Sequence, residues 1–135
     1  MNKKNVAKSI VGRQNQIIRA KKVGYKEKIF EELKEIHKET FEFTLENNKI
    51  ILTKRLKPQS NDGIVCLPEE IDVLGERSLA YQNDITRIIF PEHEIEIEKM
   101  ACFDCVNLVN IICLNASKIG DFAFARKKKE ELFTC

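Results

Sequence analysis

The sequence has no long apolar run, no glycine-rich phosphate loop and no second pair of closely spaced cysteines, and each absence excludes a class of protein. No stretch reaches the roughly 18 apolar residues of a membrane-spanning helix, and the lysines at the start are not followed by the apolar segment of an export signal. No serine or cysteine nucleophile can be assigned to His37 or His93. We therefore expect a cytoplasmic, non-enzymatic protein with no catalytic residues and no membrane span.

The composition is typical of one soluble globular domain with an unusual N-terminal segment. The chain has 135 residues, of which 43% are hydrophobic and 33% charged. Its formal net charge of +2 is unevenly distributed, because residues 1–26 hold eight basic residues and no acidic one. The eight are Lys3, Lys4, Lys8, Arg13, Arg19, Lys21, Lys22 and Lys26. The loosely helical apolar pattern of residues 1–24 predicts a basic arm that is either a frayed helix or disordered.

The basic arm supports a hypothesis of its own about function. A run of cations can contact the phosphates of a nucleic acid or the surface of an anionic membrane. Charge runs are more often solvated tails, however, and Tyr25 is the only aromatic residue before Phe30 that could stack on a base. Binding to a nucleic acid or an anionic surface through this arm is therefore the second hypothesis.

Residues 25–56 have the pattern of a helix followed by a β-hairpin. Apolar residues recur at helical spacing in residues 25–40, with lysine and glutamate on the opposite face, which predicts an amphipathic helix. In residues 41–56 apolar and polar residues alternate on both sides of Asn47-Asn48, which predicts a hairpin turn at that pair. The polar residues 57–63 form a connector to the rest of the chain.

A six-residue sequence motif occurs three times in the C-terminal half of the chain. Its copies are Leu74-Gly75-Glu76-Arg77-Ser78-Leu79, Ile97-Glu98-Lys99-Met100-Ala101-Cys102 and Ile119-Gly120-Asp121-Phe122-Ala123-Phe124, and they start 23 and then 22 residues apart. A fixed period in the twenties predicts a solenoid, in which each unit buries its apolar side against its neighbours. Residues 57–135 would form about two and a half repeats.

The solenoid should contain stacked parallel strands, and each strand should have one set of side chains that points inward and one set that points outward. The strands are predicted to centre on residues 65–67, 85–90 and 108–112. Because side chains alternate along a strand, five apolar residues are expected to point inward. They are Val65, Leu67, Ile88, Phe90 and Ile111.

The repeat resembles that of the BspA-like leucine-rich surface-antigen family, whose unit of about 23 residues reads roughly P-x-x-V-x-x-I-G-x-x-A-F-x-x-C-x-x-L-x-x-I-x-I. The resemblance covers roughly residues 64–133. The matching residues are Pro68, Ile71, Leu74, Gly75, Ser78, Leu79, Ile85 and Ile88 in the first copy, Pro91, Ile97, Ala101, Cys105, Leu108 and Ile111 in the second, and Ile119, Gly120, Ala123 and Phe124 in the third. The resemblance implies a curved right-handed solenoid used for protein recognition or adhesion, with no catalytic residues. We therefore expect an α+β fold, a short leucine-rich-repeat solenoid with an N-terminal helix and β-hairpin as its cap.

The outward residues of the strands are the predicted binding face for a protein partner of unknown identity. In register they form three columns, which are Gly63, Thr86 and Val109, then Ile64, Arg87 and Asn110, and then Cys66, Ile89 and Ile112. The last column is apolar throughout, and an apolar stripe rimmed by Arg87 and Asn110 is typical of a protein-binding surface. In the alternative interpretation the helix at 25–40 folds over this stripe and makes it part of the core.

The positions of the five cysteines are explained better by packing in the core than by a zinc site. Cys102 and Cys105 form a C-x-x-C motif, and Cys113 and His93 lie close enough in sequence to suggest a zinc site. A structural zinc site usually needs a second such pair, which the sequence lacks. Cys102 also occupies the aromatic position of the repeat and Cys105 its cysteine position, so packing explains both residues. We therefore predict buried reduced thiols, with no metal and no cofactor.

The C-terminal end of the repeats raises one further alternative. Residues 132–135 are strand-like and no recognisable capping unit follows them, although solenoids generally need a cap at each end. This pattern predicts either a truncated repeat fragment without independent activity or an open end covered by another chain. Self-association through that end is the corresponding prediction about partners.

Overall fold

A helix, a hairpin and seven further strands follow one another along the part of the chain that the structure describes. The structure is a computed structural model that describes residues 13–127 and 132–134, with side chains from residue 24 to residue 127. The elements are α1 (Arg13–Ile36), β1 (Phe41–Glu46), β2 (Lys49–Arg55), β3 (Ile64–Cys66), β4 (Val73–Leu74), β5 (Arg87–Ile89), β6 (Ile95–Ile97), β7 (Asn110–Ile112), β8 (Ala116–Ile119) and β9 (Leu132–Thr134).

Helix α1 is longer at its N-terminal end and shorter at its C-terminal end than the apolar pattern suggests. It begins at Arg13, well before residue 25, and it ends at Ile36, before residue 40. Apolar periodicity reports contact with a core, whereas lysine, arginine, glutamine and alanine extend a helix without such contact. The first half of the predicted arm, residues 1–12, lies outside the described residues.

The predicted hairpin is confirmed. Strands β1 and β2 pair antiparallel with Phe41 opposite Arg55 and Glu46 opposite Lys49. Asn47 and Asn48 between them have φ angles of 53° and 60°. Two successive residues with positive φ form the turn that best matches the twist of a hairpin, and asparagine tolerates that conformation better than most residues.

The remaining strands stack in parallel as a solenoid of about three turns, which confirms the predicted fold class. Each described turn gives one strand to each of two sheets. Sheet A has the strand order β1-β2-β4-β6-β8, and sheet B has the order β3-β5-β7-β9. The sequence predicts the strands of sheet B and the hairpin β1–β2, but it does not predict β4, β6 and β8 of sheet A.

The solenoid core lies between the two sheets. All five residues that were predicted to point inward are buried, and so are Leu74 and Ile97 of sheet A. Val65, Ile88 and Ile111 are register partners in successive strands, so each turn buries the same slot against the next. The observed strands are shorter than the predicted segments because the corners of the solenoid interrupt them.

A third side without regular strands connects sheet A back to sheet B in each turn. It repeats a left-handed backbone conformation at Arg77, Met100 and Phe122, with φ of 56°, 57° and 59°. Backbone hydrogen bonds join the turns along this side, for example from Leu79 N–H to the carbonyl of Ala101 at 2.8 Å. These repeated bonds offset the cost of a conformation that residues other than glycine seldom adopt.

The helix and hairpin are attached to the first turn of the solenoid by apolar and charged contacts. Leu33 of α1 joins Phe41 and Phe43 of β1 in the same continuous core as the solenoid. The guanidinium of Arg55 donates two hydrogen bonds to the Asp84 carboxylate, at 2.8 and 2.7 Å. The hairpin therefore covers the first turn, in the position that was predicted for a cap.

Candidate protein-binding face

The outer side of sheet B brings together the residues that the sequence analysis selected. Ile64, Arg87 and Asn110 are register partners, and so are Cys66, Ile89 and Ile112. Strand β9 extends both columns, since Leu132 pairs with Asn110 and Thr134 pairs with Ile112. We call the column of Cys66, Ile89 and Ile112 the apolar stripe.

The side chains of this surface are accessible to solvent to different degrees. Cys66 and Arg87 are exposed, and Ile64, Ile89, Asn110 and Ile112 are half-buried. Thr86 and Val109, which precede the second and third strands of sheet B, are also half-buried. The apolar stripe is therefore surface, in contrast to the fully buried residues on the inner side of the same strands.

Gly63 does not present a surface in the column assigned to it. It is buried with a φ of 80°, and its carbonyl accepts the backbone N–H of Thr86 at 2.7 Å. A Cβ atom at this position would overlap the Asp84 carbonyl oxygen. Gly63 belongs to the tight corner that leads into β3, so that column consists of Thr86 and Val109 alone.

Helix α1 packs elsewhere, so the alternative in which it covers the apolar stripe is wrong for the described residues. The helix contacts β1 and β2 and makes no contact with any strand of sheet B within the described ranges. Ile29, Phe30 and Leu33 contribute its apolar side to the core under the hairpin. That apolar side has its partner already and is not available to a second surface.

The free edge of sheet B is closed by a side chain that the sequence analysis did not single out. Gln59 Oε1 accepts the backbone N–H of Cys66 at 2.9 Å, and Gln59 Nε2 donates to the carbonyl of Cys66 at 3.1 Å. The amide thus imitates a neighbouring strand at the edge position of β3. Asp62 accepts the N–H of Ile64 at 3.1 Å nearby, and its hydrogen bond from Ser60 is the main reason why the Asp62 pKa is lowered.

Four exposed glutamates lie where the chain leaves sheet B. Glu69 and Glu70 follow β3 and a buried proline, and Glu92 and Glu94 occupy the same corner after β5. None of the four has an ion pair with another described residue, and we call them the carboxylate rim. The ring of His93 is held among them, with its nitrogens next to the carbonyl oxygens of Glu69 and Glu94.

Arg87 is the charged residue in the middle of the outer face of sheet B. It is exposed, and no described residue forms a hydrogen bond or an ion pair with its side chain. By contrast, Arg55, Arg77 and Arg126 each contact a carboxylate. The guanidinium of Arg87 is therefore free, within the described part of the chain, to contact an acceptor on another molecule.

The cysteines do not converge on one point. Cys102, Cys105 and Cys113 are buried, whereas Cys66 is exposed on sheet B. Burial raises the pKa of Cys102 well above its usual value and that of Cys105 to about 11, so both remain thiols near neutral pH. In residues 13–127 and 132–134 no group of three or more histidine, cysteine, aspartate or glutamate residues could hold a metal ion. Cys135 lies outside the described residues.

The basic residues of the arm are described only in part. Lys3, Lys4 and Lys8 lie outside the described residues, and Arg13, Arg19, Lys21 and Lys22 lie on α1 without described side chains. Lys26 forms an ion pair with Asp72 at 2.8 Å, and the same Asp72 oxygen accepts the backbone N–H of Ile50. Lys26 therefore holds the helix against sheet A. Anion binding by the other seven basic residues stays a prediction.

The last described turn exposes apolar residues that earlier turns bury. Ile119 of β8 is 46% exposed, although Leu74 and Ile97 in the same slot are fully buried. Leu114 is also exposed. Self-association through this end stays a prediction.

Comparison with known proteins supports the solenoid and leaves the partner unnamed. No known family profile matches the chain, and no curated protein matches it either. A crystal structure of a leucine rich cell surface protein from Faecalibacterium prausnitzii A2-165 is similar to this fold, with a TM-score of 0.55 and 20% sequence identity. The similarity covers 64% of this chain and 26% of that one. Within the described residues no helix has the length and apolar character to cross a membrane. The expected cytoplasmic location stays a prediction.

Proposed function

We propose that this chain, a leucine-rich-repeat type of solenoid, is a non-catalytic protein-interaction module that binds a protein through the outer side of sheet B. The observation that carries the proposal is the apolar stripe. Three apolar residues line up across three hydrogen-bonded strands, Cys66 is exposed and Ile89 and Ile112 are half-buried, and helix α1 contacts no strand of sheet B within the described residues. An apolar surface on a rigid sheet gains free energy when a partner removes it from water.

The scaffold under the stripe is suited to binding without rearrangement. The residues on the inner side of the same strands are buried, and the backbone of each strand is paired on both sides or closed by Gln59. A surface held in this way loses little conformational entropy when a partner docks. Arg87 and Asn110 beside the stripe supply polar groups that give direction to the contact.

The surface is small, which restricts the kind of partner. Four strands about 4.8 Å apart and three residues about 3.3 Å apart give on the order of 200 Å² of sheet. A stable interface between two folded proteins usually buries about 800 Å² on each side. A single protein segment fits the available area better than a folded domain does.

The test is to replace Ile89 and Ile112 together by glutamate and to measure capture of the binding partner. Because both side chains lie on the outer side of sheet B, we expect the circular dichroism spectrum and cooperative unfolding to be preserved and capture to be lost. The matched control replaces Val106 and Ile119 by glutamate, since both are exposed apolar residues outside sheet B. The control should retain capture.

Two outcomes contradict the proposal. If the change at Ile89 and Ile112 unfolds the protein, these residues are core and not a binding surface. If the folded variant still captures the partner as well as the unchanged chain does, binding takes place on another surface.

A further inference from the structure

The apolar stripe has charges of opposite sign on its two sides. Arg87 lies two residues before Ile89 in β5, and Glu92 lies three residues after Ile89, in the corner that follows the strand. Glu69 has the same position relative to Cys66 in the preceding turn. Neither Arg87 nor these two glutamates has an ion pair with a described residue. A partner therefore meets a cation on one side of the stripe and carboxylates on the other.

The carboxylate side has no lysine or arginine nearby in the chain, and the one basic side chain there is the His93 ring, which lies between the carbonyl oxygens of Glu69 and Glu94. Residues 58–76 and 88–98 contain no lysine or arginine. Elsewhere the same sheets do neutralise their acids, since Glu96 of β6 pairs with Lys49 of β2 at 2.8 Å. The stacking of the turns places Glu69 and Glu92 side by side, with the Glu69 carboxylate accepting the backbone N–H of Glu92 at 3.5 Å, so a cation placed beside them is attracted by both.

We propose that the segment bound by sheet B is aliphatic and basic, with apolar side chains on Ile89 and Ile112 and lysine or arginine side chains at Glu69 and Glu92. This inference rests on the proposed function and names the chemistry of its partner. Arg87 on the opposite side would contact a carboxylate or a backbone carbonyl of the same segment, which fixes the direction in which the segment lies.

Two other occupants fit the surface less well. A nucleic acid would bring its phosphates against the carboxylate rim, where like charges repel. A second copy of this chain would have to form its contact on about 200 Å² of sheet, far below the area of a stable dimer. Sedimentation of the chain alone detects the dimer, and anisotropy of a labelled DNA oligonucleotide measured beside the peptides detects the nucleic acid; tight DNA binding that is lost in the Ile89 and Ile112 variant would overturn the proposal.

The experiment measures binding of three labelled ten-residue peptides to the full chain by fluorescence anisotropy, at low and at high salt. One peptide alternates valine with lysine, the second alternates valine with glutamate, and the third alternates serine with lysine. We expect the valine–lysine peptide to bind at least about tenfold more tightly than either of the others, because it alone supplies both the apolar and the basic side chains.

Two variants assign the effect to the proposed residues. Glu69→Gln with Glu92→Gln should weaken binding of the valine–lysine peptide about tenfold at low salt and much less at high salt. The control is Glu27→Gln with Glu32→Gln, which removes two exposed glutamates of α1 that have no ion pair with a described residue. The control should bind as tightly as the unchanged chain.

The possible failures are distinguishable. If binding requires Ile89 and Ile112 but is the same for the lysine and glutamate peptides, or is unaffected by the change at Glu69 and Glu92, the basic partner is refuted and the binding face stands. If the glutamate substitutions at Ile89 and Ile112 leave peptide binding intact, the face itself is refuted. Sedimentation of the chain alone that shows a dimer lost in the Ile89 and Ile112 variant identifies a second copy as the occupant and overturns the proposal.

Discussion

The contact between Arg55 and Asp84 should give an unequal response when either partner is removed. The side chain of Arg55 at the end of β2 is only 3% exposed, whereas that of Asp84 is 46% exposed. Replacing Asp84 by alanine leaves a buried guanidinium with Gln82 as its remaining acceptor, at 2.7 Å. Replacing Arg55 by methionine leaves a carboxylate that water can solvate.

The expected magnitudes follow from that difference in burial. An uncompensated buried charge costs about 3 kcal/mol, so Asp84→Ala should lower the free energy of unfolding by about that amount. Loss of hydrogen bonds from a group that returns to water costs about 1 kcal/mol, which is the expected effect of Arg55→Met. Because the methionine variant has no buried charge left, adding Asp84→Ala to it should cost little more.

Urea denaturation of the two single variants and the double variant measures these free energies directly. The hydrogen bond from Arg55 lowers the pKa of Asp84 below its ordinary value of 3.8. The stabilisation is therefore complete above that unfolded value and is lost as the pH falls through the lower pKa of the folded state. If Arg55→Met destabilises the protein as much as Asp84→Ala, the burial argument is refuted.

Two further predictions concern the edge of sheet B and the end of the helix. Gln59→Ala should expose the backbone of β3 at Cys66 and promote self-association, which sedimentation at increasing protein concentration would show. Gln59→Asn has a shorter side chain that places its amide differently, and it should behave in the same way. Burial next to Phe41 and Phe43 lowers the pKa of His37, despite the opposing effect of Glu70. The free energy of unfolding should therefore be constant above pH 6.5 and fall as the pH drops below that value. His37→Gln should remove that fall in denaturation measurements, and a persisting fall would contradict the assignment to His37.

The register of sheet B could be predicted from the sequence because identical slots face each other in a solenoid. Ile88 and Ile111 are 23 residues apart and are direct register partners, so the spacing of the repeat is also the spacing of the contact. The left-handed residues Arg77, Met100 and Phe122 could not be predicted, because their side chains carry no signal for positive φ. Hydrogen bonds between turns impose that conformation, and these bonds exist only after the turns have stacked.

The glycine position of the repeat shows that local packing decides in which turn another residue can replace the glycine. At Gly120 a Cβ atom would overlap the backbone of Lys99 in the preceding turn, so this copy needs glycine. Glu98 fills the same slot one turn earlier, and its carboxylate accepts the backbone N–H of Glu76 at 3.1 Å. The copy of the repeat that lacks this glycine thus forms a side-chain hydrogen bond between turns instead.

The apolar stripe of the candidate binding face could be predicted from the sequence, but the carboxylate rim could not. Strand alternation was sufficient to predict the apolar stripe. Glu92 and Glu96 belong to one alternating run of glutamates in the sequence, yet Glu96 forms an ion pair with Lys49 in sheet A whereas Glu92 has no ion pair with a described residue. Whether a charge is neutralised depends on which turn and which sheet lie beside it, and that information exists only in three dimensions.

The candidate binding face and the last described turn of the solenoid are separate surfaces, so a partner on one does not exclude a partner on the other. The apolar stripe lies on sheet B, whereas Ile119 is at the outer edge of sheet A. Stacking of another chain on β8 would leave Ile89 uncovered, because β5 lies between β3 and β7 and its outer side faces away from sheet A. Self-association at the end and capture of a basic segment on the face are therefore compatible in one assembly, and a variant at Ile119 should change the first without changing the second.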